Sequence, residues 1–146
     1  MIKKVITYTD YDGNERTETH YFNLSKAEML DMELFTAGGY SNMLQRAIEE
    51  RDQIELIKIF RELVLKSYGI KSDDGKRFMK SEEITRAFTE TEAFTELYME
   101  LATDSEAAAA FANGIMPKDM QKLVEEKFPD GVADIKELAK IKLGKK

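Results

Sequence analysis

A chain of 146 residues is the size of one ordinary domain, and with 42% apolar side chains it can fill a core. A formal charge of −6 disfavours nucleic-acid binding, which needs a basic surface to displace counterions. The absence of Cys excludes disulfide staples, thiolate zinc sites and thiol catalysis, and no apolar run approaches the ~20 residues of a membrane helix.

The opening MIKKVITYTDYDG turns polar too soon for a secretory signal, so the expected home is a reducing cytoplasm. Residues 2–9, IKKVITYT, and 16–23, RTETHYFN, are rich in β-branched and aromatic side chains, and they flank DYDGNE. Asp12-Gly13 and Gly13-Asn14 both tolerate positive φ, so these segments predict a β-hairpin. A two-residue loop would pair Ile6 with Thr19 and a three-residue loop Ile6 with His20; the sequence leaves both open. A calcium loop does not fit, because Gly13 and Tyr21 stand where that pattern wants neither.

A lone hairpin is marginal in water and must lie on something. Ser25 with Glu28 forms a capping box that opens a helix through KAEMLDMELFTA, where Met29, Met32, Leu34 and Phe35 supply an apolar side and Gly38-Gly39 the stop. Ser41 is the expected cap of NMLQRAIEER, and Asp52 that of DQIELIKIFRELVLKSYG, the strongest helix signal in the chain, with Gly69 as its stop. Its apolar arc holds Leu56, Ile57, Ile59, Phe60, Leu63 and Val64, widened by Ile54, Leu65 and Tyr68, which predicts a place central to the core. Ser81 opens EEITRAFTE, Thr91 caps EAFTELYMELA and Asp104 caps SEAAAAFAN, which Gly114 ends. Helices are also expected over 118–128, after Pro117, and over 132–144. The expected fold is mainly α with a small N-terminal β-hairpin (α+β), a bundle-like array of six to eight helices in a single domain 1–146 with a candidate hinge near 67–81.

The bend SYGIKSDDGKRFMKS, 67–81, is where chemistry is most worth seeking. A phosphate-binding loop needs Gly directly before Lys and a preceding strand; here Ile70 separates Gly69 from Lys71 and a helix precedes. Asp73 and Asp74 have Lys76 and Arg77 as competitors and no further ligands nearby in sequence, so a solvated connection between helices is the better reading. His20 is the only histidine and cannot anchor a zinc site; a strand-surface position is the default. Glu49-Glu50, Glu82-Glu83 and Glu125-Glu126 point about 100° apart on a helix and form no facing dyad. No catalytic residue, metal ligand or cofactor is assigned, and no enzymatic activity is expected.

Two stretches carry a resemblance. ETHYFNLSKAEMLDMEL, followed by LVLKSYGIKSDDGKRFMKSEEITRAFTETEAFTELYMELATDSEAAAAFANGIMP, resembles the tail assembly chaperones of bacteriophages with long flexible tails, over roughly residues 10–117. The resemblance implies a non-enzymatic protein made in the cytoplasm of the infected bacterium. It implies that such a protein coats the tape measure protein, keeps it soluble, helps recruit tail tube protein and is absent from the finished virion. It also implies a longer frameshifted form in many members.

The composition suits that role. Eight Met give pliable apolar surface that repacks against varied helices, and weak contacts repeated along one rod add through avidity. Met29, Met32 and Phe35 on the first helix, with Tyr68, Phe78 and Met79 around the bend, are the candidate partner-binding residues, though for the methionines ordinary core packing is at least as good a reading. Self-association into oligomers fits the same surfaces; nucleic acid and membrane do not. The alternative is a structural tail or head-completion component retained in the particle, and a third reading is an enzyme or nucleotide-binding protein built around 67–81.

Overall fold

The computed structural model describes residues 1–115; residues 116–146, and with them the helices expected over 118–128 and 132–144, lie outside that range. In chain order the elements are β1 (Ile2–Thr9), β2 (Glu15–Phe22), α1 (Lys26–Phe35), α2 (Tyr40–Glu49), α3 (Gln53–Ser67), β3 (Tyr68–Lys71), β4 (Phe78–Met79), α4 (Glu82–Thr89), α5 (Glu92–Thr103) and α6 (Ser105–Ile115).

β1 and β2 form the expected antiparallel hairpin, but with neither of the expected registers: Ile6 stands opposite Glu18, and the loop is the five residues Asp10 to Asn14. The reason lies in Asp10. Its Oδ1 accepts the backbone N–H of Asp12 and of Asn14, each at 2.9 Å, and its Oδ2 accepts Arg16 Nε–H at 2.5 Å. Gly13 takes φ 86° inside that loop. A side chain that closes its own loop by local hydrogen bonds sets the loop length, and the register follows.

The sheet does not stop at the hairpin. Its order is β1-β2-β3-β4, antiparallel throughout, with Phe22 opposite Tyr68 and Tyr21 opposite Gly69. α3 therefore runs directly into a strand, and Gly69 lies within β3 instead of capping the helix; the bend at 67–81 is a second hairpin, not a solvated connection between helices. Ser72 and Asp74 are consumed inside it: Ser72 Oγ–H donates to Asp74 Oδ1 at 2.7 Å and Ser72 Oγ accepts Arg77 N–H at 3.0 Å. Lys71 Nζ sits 4.9 Å from the centre of the Tyr21 ring.

The bundle-like array of six to eight helices is thus corrected to a mixed α/β arrangement around a four-stranded sheet, and the upper part of that count rested on segments outside the described residues. α5 and α6 pack on β1, and α4 packs on β3. The alternating positions Ile2, Ile6 and Tyr8 face the core, the period of two that a one-sided sheet requires. α3 is central, as its arc predicts: Leu56, Ile59, Phe60 and Val64 are buried, although Ile54 turns out to solvent.

Aromatic rings join the layers. Tyr68 stacks on Phe88 with centroids 4.0 Å apart and planes 8° from parallel, and Phe22 meets Phe111 edge-on at 5.1 Å. Each such pair contributes ~0.5–1.5 kcal/mol beyond its buried area. His20 belongs to this cluster, 5.3 Å from Phe88, so the strand-surface position expected for it is corrected to a half-buried one. Burial pushes its pKa down, with Glu18 opposing, and its Nε2 makes no hydrogen bond among the described residues.

Gly114 does not end its helix; α6 continues to Ile115. A side chain at 114 would meet Ile2 Cδ1 at 2.6 Å, so glycine there allows α6 to lie against the start of β1.

Candidate functional interface on helix α1

α1 follows β2 after a short link, and its start is built by local rules. Ser25 Oγ accepts Glu28 N–H at 3.1 Å while Glu28 Oε1 accepts Ser25 N–H at 2.9 Å, which is the predicted capping box. The far end stops as predicted, in a turn where Gly38 and Gly39 take φ 78° and 91°. α2 then begins at Tyr40, one residue ahead of its expected cap Ser41.

Lys80 holds α1 in place. Its ammonium donates to Glu28 Oε2 at 2.7 Å, to the Asn23 carbonyl at 2.7 Å and to the Lys66 carbonyl at 2.8 Å. One cation thereby ties the start of α1 to the last turn of α3, where exposed carbonyls favour positive charge. Burial alone would raise the Glu28 carboxyl, but the bonds from Lys80 and Ser25 outweigh it and hold the carboxyl below its ordinary range.

The helix has two apolar sides, where the sequence suggested one. Met29 and Met32 turn inward and pack against the core with Tyr40 and Met43. Leu30, Leu34 and Phe35 turn outward and are 55%, 65% and 80% exposed; no residue of α1 is fully buried. Spacing i, i+4 places Leu30 and Leu34 one above the other, with Phe35 at their end. Scattered single apolar residues on a surface are normal; here Leu30 and Leu34 form an exposed apolar pair on one side of the helix, and Phe35, about 100° around from Leu34, borders the groove with Met32.

Beside this stripe an open groove of about 440 Å³ runs between α1, α2 and α3. Leu24, Met32, Phe35 and Met43 form its apolar lining, and Glu28, Asp31 and Glu62 outnumber Lys66 among its charged residues. Tyr40 lines it as well. Burial, then the nearby Glu62, push the Tyr40 pKa up, and its hydroxyl makes no hydrogen bond among the described residues.

The six residues singled out from sequence fall in two places. Met29, Met32 and Phe35 share α1. Tyr68, Phe78 and Met79 share the second hairpin, where Tyr68 is only 9% exposed and acts as a core ring, while Phe78 and Met79 are half-buried. Phe78 lies over Gly69, and Arg77 Nη2 approaches Met79 Sδ at 3.4 Å. Leu30, absent from that set, belongs to the α1 stripe; its i, i+4 relation to Leu34 was the available signal.

Among the described residues no group of three or more His, Cys, Asp or Glu is placed to hold a metal ion, and no helix is long and apolar enough to cross a membrane. Fold and surface together define a small α+β protein with exposed apolar side chains on α1. A family model for phage tail assembly chaperones matches residues 1–142, and the chain belongs to that family. No curated protein and no solved structure matches it significantly.

Proposed function

We propose that this chain is a non-enzymatic chaperone that coats the tape measure protein in the cytoplasm of the infected bacterium and keeps it soluble until tail tube protein assembles around it. The observation that carries the reading is the outward stripe Leu30, Leu34 and Phe35 on a helix fixed by Lys80, in a chain of the tail assembly chaperone family. A long helical protein with one apolar side aggregates alone; a matching helix side removes that surface from water at ~25 cal/mol per Å². Met29 and Met32 behind the stripe let it adjust to differing partner side chains, because unbranched thioethers repack at low cost. The net charge of −6 keeps the resulting complex dispersed. Phe78 and Met79 belong to a second, smaller contact, suited to tail tube protein or to another copy of this chain.

Co-expression with the tape measure protein of the same phage tests this. The expected result is a soluble tape measure protein that co-purifies with this chain. A tape measure protein that stays insoluble at equal expression overturns the reading.

A further inference from the structure

The four-stranded sheet is clothed on one side only. Ile2, Ile6 and Tyr8 turn to the core, and Lys4 on the same side bonds Glu100 of α5 at 2.8 Å. On the other side Lys3, Thr7, Thr17 and Thr19 are all exposed. A solvated face is ordinary for an antiparallel sheet, but one corner of this face is not. Lys3 stands opposite Tyr21, Tyr21 opposite Gly69, and Lys71 opposite Phe78. Lys71 Nζ lies 4.9 Å from the centre of the Tyr21 ring, and Phe78 lies over Gly69. Two half-buried rings are thus set among Lys3 and Lys71, and the turn between β3 and β4 adds Lys76 and Arg77 against Asp73 and Asp74. None of these four cations forms an ion pair among the described residues.

The complement of that corner lies across the sheet. Residues 82–106 carry eight carboxylates and a single cation, Arg86. On α5, Glu92, Glu96 and Glu100 follow one another at i, i+4 and i+8 and so share one side of the helix, with Met99, 55% exposed, beside them. Glu100 is already taken by Lys4, whereas Glu92 and Glu96 hold no cation among the described residues. α5 packs on the core side of β1, so the acidic ridge and the basic corner belong to opposite sides of one sheet and do not meet within the chain.

We infer that copies of this chain associate head to tail, the basic corner of one copy's sheet seated on the acidic α5 ridge of the next. Lys3 and Lys71 then face Glu92 and Glu96, and Met99 meets the Tyr21 and Phe78 rings, a favourable thioether–aromatic contact. Each copy offers its corner to one neighbour and its ridge to another, so the contact is heterologous and the row does not close at two. Nucleic acid, the other anion that a corner of lysines and rings attracts, is repelled by a chain of net charge −6. The contact uses a surface apart from α1 and does not depend on what α1 holds.

Sedimentation velocity of the full chain tests this with no other protein present. At low ionic strength the wild type is expected to gain mass with concentration beyond a dimer. In about 1 M salt, where the screening length falls to ~3 Å, it is expected to return to a single copy. Lys3→Glu with Lys71→Glu, and separately Glu92→Lys with Glu96→Lys, are each expected to stay single copies, because each sets like charges against one another. Mixing the two variants one to one is expected to restore association, since the reversed corner of one fits the reversed ridge of the other; that rescue also shows both variants to be folded. A wild type that stays a single copy at low salt overturns the inference. So do growth that stops at a dimer, association that nuclease treatment removes, and a failed rescue between variants that melt as the wild type does. The two readings fail separately: head-to-tail association with no capture of tape measure protein sinks the proposed function alone, and capture by a chain that stays a single copy at low salt sinks the association alone.

Discussion

Lys80 is the residue on which the interface helix most depends. Its three bonds reach Asn23 and Glu28 at the start of α1 and Lys66 at the end of α3, two parts of the chain far apart in sequence. Lys80→Met keeps the aliphatic stem and leaves a carboxylate and two carbonyls without their cation. A charge-assisted bond contributes ~1.5–3 kcal/mol, so a loss of about 2 kcal/mol is expected, a fall of roughly 5–10 °C for a chain of this size, read by thermal melting. The same network sets one arm of the pH dependence. The Glu28 carboxyl is held below its ordinary value of 4.5, so its contribution is complete above that pH and is lost as pH falls through the lower folded value. His20 acts earlier on the same descent. Its folded pKa lies below 6.5, so the unfolded chain takes the proton first and stability begins to fall as pH drops below 6.5. His20→Phe is therefore expected to flatten the stability profile as pH falls below 6.5 while leaving the arm set by Glu28; urea midpoints on the descent check it, and an unchanged slope refutes it.

At the scale of elements, the second hairpin depends on a close approach. A Cβ at position 69 would stand 2.6 Å from Phe78 Cε2 and 3.0 Å from the Met79 carbonyl oxygen. Gly69→Ala is expected to cost ~1–3 kcal/mol by overpacking, and Phe78→Ala in the same chain to recover part of that by emptying the ring's place. Denaturant unfolding of the single and double variants measures the coupling; strict additivity would contradict the contact. The same hairpin shows which parts of the fold could be read from sequence. Helix starts at Ser25, Asp52, Ser81, Thr91 and Asp104 were legible because a cap is a bond between a side chain and an amide two or three residues away. β3 and β4 were not, because YGIK and FM are too short for periodicity to show, and their order comes from pairing Tyr68 with Phe22, forty-six residues back. The register of the first hairpin was hidden for a different reason: Asp10 binds its own loop, which hairpin statistics do not record. For the candidate interface, the composition of α1 was legible and its orientation was not, since only the positions of α2 and α3 decide that Met32 faces in and Leu34 faces out.

For the whole molecule, the proposed function puts binding on a surface that contributes no fully buried side chain to the core, so the two are expected to separate by mutation. The core runs from Phe22 and Leu24 through α3 to Leu97, Leu101 and Phe111, and none of its buried members lies on α1. Leu34→Asp and Phe35→Ser alter only outward side chains, so each is expected to move unfolding free energy by no more than ~0.5 kcal/mol. Binding should respond very differently. Burying one large apolar side chain contributes ~1.5–3 kcal/mol, a factor of roughly ten to two hundred per contact. In a coat of many copies along one rod that factor recurs at every copy, so modest weakening of each contact empties the whole array. The expected outcome is a pair of variants with wild-type melting temperatures that no longer hold tape measure protein in solution on co-expression, whereas Val5→Ser, on the outer face of the sheet and also exposed, retains it. If the two α1 variants solubilise the partner as well as wild type does, the stripe is not the contact, and the second hairpin with Phe78 and Met79 becomes the surface to test in its place.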